Sequence, residues 1–160
     1  MTSSVVMNPN QFNNGLDQYM KRFERRWRVR MKMLVDQGMV RMLRRTPVHT
    51  GQAAMSYVAS VGAPKGGSAG AGFPVNAPTN QLPLGAEENR GRAENVSRAT
   101  LASVNYNDPF QVFWIVNNAP SIGGLEAGEL PEEPYTPRSP QGMFGVTLQE
   151  LSALLDTTPL

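Results

Sequence analysis

His49 is the chain's one histidine, and it sits inside the segment TPVHTG, Thr46 to Gly51. Histidine titrates near neutrality and is the most common general base. A hydrolytic triad would add a hydroxyl nucleophile and an orienting carboxylate, but no spacing in this chain selects either partner. His49 is therefore expected to be a turn residue that bonds locally. Paired carboxylates occur at Glu87-Glu88 and Glu132-Glu133; both pairs fall in loop-like sequence and read as solvated charges. The run GGSAGAG, Gly66 to Gly72, lacks the Lys-Ser/Thr that completes a phosphate loop. With no cysteine and no second histidine, the chain has no disulfide, no thiolate metal site and no cysteine nucleophile. Catalysis, a metal and a cofactor are not expected.

Cationic chemistry is another matter. Ten of the fifteen basic residues fall between Lys21 and Arg45, beside two acids, Glu24 and Asp36. That stretch carries a net +8 and the remainder a net −6, so the overall +2 hides a dipolar protein. Lys21, Arg25, Arg28 and Lys32 recur at steps of three or four and form one positive stripe along a helix. Such a stripe suits nucleic-acid phosphates or an acidic surface on a neighbouring subunit.

The element that positions the stripe is legible from its apolar residues. Leu16, Met20, Phe23, Trp27, Met31 and Leu34 follow at the same spacing about half a turn away, which predicts one buried helix face. The helix is expected from about Asn14 to Arg45, roughly 45 Å at about 1.5 Å per residue, with Gly38 as a weak point. Thr46-Pro47 should end it, because the residue before proline is pushed out of the helical region. Residues 1–13 read as a flexible N-terminal arm without the basic and apolar runs of a signal peptide. Residues 14–160 read as a single domain.

Within that domain Ala53 to Gly62 and Arg98 to Asn105 read as strands. Phe110 to Asn117 reads as a buried strand or short helix. Ala63 to Asn95, rich in Gly, Ala, Pro and Asn, reads as a long inserted loop. The run after Gly142 reads as a C-terminal helix burying Met143, Val146, Leu148, Leu151, Leu154 and Leu155. The expected class is α+β: a long N-terminal helix packed on a small antiparallel sheet, with the inserted loop and a closing helix. No stretch reaches the roughly 18 apolar residues of a membrane span, and no membrane partner is expected.

Three segments carry a further signal in their order and spacing: TPVHTG at 46–51, VFWIVNNAPSIGGLEAG at 112–128, and SPQGMFGVTLQEL at 139–151. Together they resemble the neck or tail-completion (tail-terminator-like) family of long-tailed bacteriophages, over most of the chain from Leu16 to Leu151. Where that family often carries Asp, this chain has His49, and the proline at Pro140 is displaced. The resemblance implies a structural virion protein of the head–tail junction, assembled in the host cytoplasm. It would form a cyclic ring with copies of itself, between a portal-side adaptor or head-closure protein and the tail tube protein, around the channel for genomic DNA. Thr46, Pro47, Thr50 and Gly51 would form the family-like turn. Trp114, Asn117, Asn118 and Glu126 become candidate subunit-interface residues; Glu126 is the first choice for a charge bridging subunits, against the plainer reading of a solvated loop carboxylate. The stripe of Lys21, Arg25, Arg28 and Lys32 would face the channel or a docking partner. The alternative is a DNA-binding protein using the basic helix 21–45 on phosphates.

Overall fold

A computed structural model describes residues 8–67, 70–76, 85–108, 110–130, 139 and 141–157. The pair Glu132-Glu133 and Pro140 lie outside the described residues. The chain is α+β: α1 (Pro9–Arg45), α2 (Gln52–Met55), β1 (Tyr57–Val61), α3 (Arg90–Leu101), β2 (Phe113–Asn117), α4 (Ile122–Glu126) and α5 (Phe144–Thr157). None of the described helices is long and apolar enough to cross a membrane.

Helix α1 starts at Pro9, not near Asn14, so residues 9–13 belong to the helix rather than to an arm. The local chemistry explains the earlier start. The Asn8 carboxamide oxygen accepts Asn10 N at 3.0 Å, and Pro9 occupies the first helical position, where its missing N–H costs nothing. At the other end Thr46 adopts an extended ψ of 119° before Pro47 and closes the helix, its N–H bonding to Met42 O at 3.0 Å. Gly38 is no break. It is buried mid-helix, where an added Cβ would stand 3.2 Å from Leu151 Cδ1 and 3.3 Å from Ile115 Cδ1. The missing side chain lets α5 and β2 close on α1.

β1 and β2 form a two-stranded antiparallel sheet in the register Tyr57↔Asn117 to Val61↔Phe113. The strand expected at 53–62 is thus shorter, because Gly51 turns the chain at φ +83° and Ala53 and Ala54 belong to the short α2. The strand expected at 98–105 is instead the end of α3, to Leu101, and the turn that follows it. Arg90, Glu94 and Arg98 lie at helical i, i+4 steps and pair at 3.2 and 2.9 Å. On the face that Arg90 shares at i+3 and i+7, α3 buries Ala93 and Ser97. Its hydroxyls cap the outer edge of β1: Ser97 Oγ accepts Tyr57 N at 3.1 Å, and Thr100 Oγ1 accepts Ala59 N at 3.0 Å.

The stretch expected as a loop to Asn95 therefore yields its end to α3, and its described part is tethered. Phe73 N donates to Thr50 O at 2.6 Å, Gln52 Nε2 to Gly70 O at 3.0 Å, and Arg92 stacks 4.2 Å above the Phe73 ring. The core gathers the second half of α1 (Val35, Met39, Met42, Leu43) with Tyr57, Ala59, Ala93 and Val104. Helix α5 lies antiparallel on α1. Arg45 reaches Glu150 at 2.6 Å, and Arg30 bonds to Leu155 O near the far end. Of α5's expected core residues Met143 is buried, whereas Leu148 and Leu155 are exposed; the buried position on the helix is Thr147. Thr147 shares its face with Leu151 and Leu154 at i+4 and i+7, and Leu148 and Leu155 share a different one.

Candidate assembly interface

The three resembling segments, as much as 100 residues apart, meet at one hydrogen-bonded node. Thr46 Oγ1 donates to Met42 O at 2.8 Å, accepts from the Tyr57 hydroxyl at 2.8 Å, and lies 3.1 Å from Met143 Sδ. Burial pushes the Tyr57 hydroxyl up to about 12, so it stays a neutral donor. Ser139 Oγ donates to Arg45 O. Asn117 donates through Nδ2 to Ala53 O at 2.8 Å and accepts Ala119 N at 2.9 Å, tying the end of β2 to α2 and to the turn that follows.

Glu126 belongs to this node. Its carboxylate accepts Met143 N at 2.6 Å, Phe144 N at 2.9 Å and Gly145 N at 3.0 Å, the free N–H groups of the first turn of α5. Burial works against the charge, but the three backbone donors outweigh it and hold the carboxyl below its usual range. Within the chain the carboxylate serves as a helix cap. Gly142, read from the sequence only as the residue ahead of the last helix, makes the approach feasible. It adopts φ +76°, and a Cβ there would stand 2.7 Å from Glu126 O.

The turn residues divide. Thr50 Oγ1 accepts Gln52 N at 3.3 Å and its carbonyl takes Phe73 N, while Gly51 is buried and Pro47 half-buried. His49 is exposed at the side-chain level, and its backbone carbonyl accepts Asn89 Nδ2 at 3.3 Å. Beneath the turn lies a cluster the sequence did not reveal. Arg90, buried, donates to Leu43 O at 3.0 Å and Thr46 O at 2.9 Å, carbonyls at the end of α1, and its Nε pairs with buried Glu87 at 2.7 Å. The Glu87 carboxyl loses solvation there, yet the Arg90 guanidinium holds its pKa down. The signal available was a Glu-x-x-Arg step at a helix start.

Of the other candidates, Trp114 is exposed on the outer sheet face, its indole N–H donating to Gly62 O at 3.3 Å. Asn118 is exposed and donates to Gly67 O at 3.0 Å. The basic stripe splits in two. Arg28 donates to Asn107 O at 3.1 Å, and Lys32 pairs with Asp36 and sits 5.8 Å from the Tyr106 ring centroid. Lys21 and Arg25 are exposed, with no ion pair among the described residues.

The predicted apolar face of α1 divides at the same level. Leu34 is buried, Phe23, Trp27 and Met31 are half-buried, and Leu16 and Met20 are exposed. Phe23 and Trp27 stack on each other with centroids 6.3 Å apart. The reason is geometric. α5 runs antiparallel along α1 and its Leu155 has reached only Arg30, so the stripe continues beyond the cover. The first part of α1 thus exposes Phe12, Leu16, Tyr19 and Met20 on one side and Lys21 and Arg25 on the other. No protein-family model matches this chain, and no curated protein or solved structure matches it either.

Proposed function

We propose that this chain is a non-enzymatic structural subunit of a bacteriophage neck, one copy in a ring that completes or terminates the tail around the DNA channel. The observation that carries this reading is the free half of α1. A domain whose core is closed by residues 30–157 has no folding use for an extra helical length bearing exposed Phe12, Leu16, Tyr19 and Met20. Contiguous apolar surface of this kind marks an interaction site. Support also comes from the meeting of the three resembling segments at the Thr46–Glu126–Met143 node, where they act as one structural unit.

The direct test is an electron micrograph of the purified protein and of the particle that contains it. Closed rings of uniform size with an open centre, located at the head–tail junction, are expected. The second reading, a DNA-binding protein, draws on the open cations Lys21, Arg22, Arg25 and Arg26. Tight, sequence-selective binding of duplex DNA by a ringless subunit at physiological salt would replace the ring reading with that one.

A further inference from the structure

The described surface carries a second large apolar patch besides the free half of α1. Phe110, Val112 and Trp114 are 66%, 58% and 38% exposed. Val112 O accepts Gly62 N at 2.9 Å, which extends the β1–β2 ladder one pair beyond the strand. Alternation therefore sets Val112 and Trp114 on the outer face of the sheet, with Phe110 exposed in the turn that leads into the strand, while Phe113 packs inward on Tyr106 with centroids 5.3 Å apart.

We propose that the free half of α1, through Leu16, Tyr19 and Met20, docks on the Phe110–Val112–Trp114 face of the next copy of this chain. The proposal deepens the ring reading and rests on it. The two patches do not meet within one molecule. Arg28 is bonded to Asn107 O, which fixes the start of the strand segment at the level of Arg28. Leu16 is 12 residues, or roughly 18 Å, further along a straight helix.

A second copy satisfies both patches at once. Because the patches differ, the contact is heterologous and propagates head to tail, closing into a ring when the rotation allows. Charge agrees with this pairing. On α1, Arg22 and Arg26 flank Tyr19 at i+3 and i+7. On the strand side, Asp108 stands beside Phe110, in the part of the chain that carries the net −6. Opposite rims favour this register over two copies of the basic helix paired together. Nucleic acid would engage the opposite, cationic side of α1 and leave the aromatic side bare. An anionic lipid surface would meet Asp17 and Glu24, which lie beside the apolar stripe.

The test uses two variants of the full chain: Leu16→Glu with Tyr19→Glu, which spoils the helix patch, and Val112→Glu, which spoils the strand patch. The wild type should form rings in sedimentation velocity as concentration rises. Each variant alone should stay monomeric with an unchanged circular dichroism spectrum. An equimolar mixture should form a 1:1 dimer and nothing larger, because one intact helix patch meets one intact strand patch.

If Val112→Glu misfolds, cysteine supplies the same logic in a chain that has none. Tyr19→Cys mixed with Val112→Cys should give a disulfide-linked dimer under oxidation, and neither alone should. Self-linking of Tyr19→Cys alone would overturn the proposal, as would a wild type monomeric at every concentration. Rings that persist in both patch variants would remove this contact and leave the neck reading standing. A ringless wild type that binds DNA or anionic vesicles tightly would remove the neck reading itself.

Discussion

Glu126 shows how much one side chain's role depends on a segment far from it. In sequence it stands between turns after an apolar strand and looks available to a neighbour; in the fold it holds three N–H groups of α5. Replacing Glu126 with Ala should cost about 1 kcal/mol, the range of a lost helix cap, read as a lower midpoint in urea. The pH dependence has a definite sign. The folded carboxyl titrates below its unfolded value, so the stabilisation is fully present above the ordinary Glu value of about 4.3. It is lost as pH falls through the folded value. Wild type and Glu126→Ala should therefore converge in stability on acidification; a constant gap down to pH 2 would count against the cap. His49→Ala should leave stability within about 0.5 kcal/mol, as for an exposed surface position, and leave particle assembly intact. Loss of particle function with normal rings would restore a chemical role for the imidazole. The role of Glu126 was not legible because its partners are backbone groups 17 to 19 residues away, brought close by the positive φ of Gly142.

Among the elements, α1 and α5 were legible because their apolar residues repeat over long runs and Thr46-Pro47 gives a hard stop; the run that holds β2 was legible as apolar, but its short length left strand and helix both open. α3 was not, since its buried face is made of Ala93 and Ser97, which leave no hydrophobic period; its signal was the Arg90-Glu94-Arg98 charge spacing. The Arg90–Glu87 pair locks α3 to the end of α1. Arg90→Met should destabilise the domain by about 3–5 kcal/mol, because Glu87 is left buried without its counter-ion. Glu87→Gln with Arg90→Met should recover part of that loss in a double-mutant cycle. Within α1 the two halves should behave differently in solution. A helix of this length without tertiary cover is marginal in water. In the isolated subunit, amides of residues 13–27 should exchange far faster than those of 34–43, with protection appearing on assembly. Uniform protection in a monomer would mean that the first half needs no partner.

For the whole molecule, the +8 and −6 regions were readable from composition, but not which cations stay free. Among the described residues only Lys21 and Arg25 of the four stripe residues are unengaged, so any non-specific DNA binding should owe them about two phosphate contacts. Changing both to Gln should reduce the logarithmic salt slope by roughly 1.8; a reduction near 3.6 would mean that Arg28 and Lys32 leave their partners to reach DNA. The antiparallel seating of α5 on α1 also has a consequence for synthesis. The two helices pair residues about 100 apart, such as Arg45 with Glu150. A ribosome therefore extrudes α1 long before α5 exists, and at about 5–20 residues per second the nascent helix waits several seconds with the side that α5 will cover bare. During that interval this side of the core half and the half left for a partner are alike, both sticky and both cationic. Emergence of residues 144–157 separates them. A release just before Phe144 should yield a chain that aggregates instead of one that merely lacks a helix.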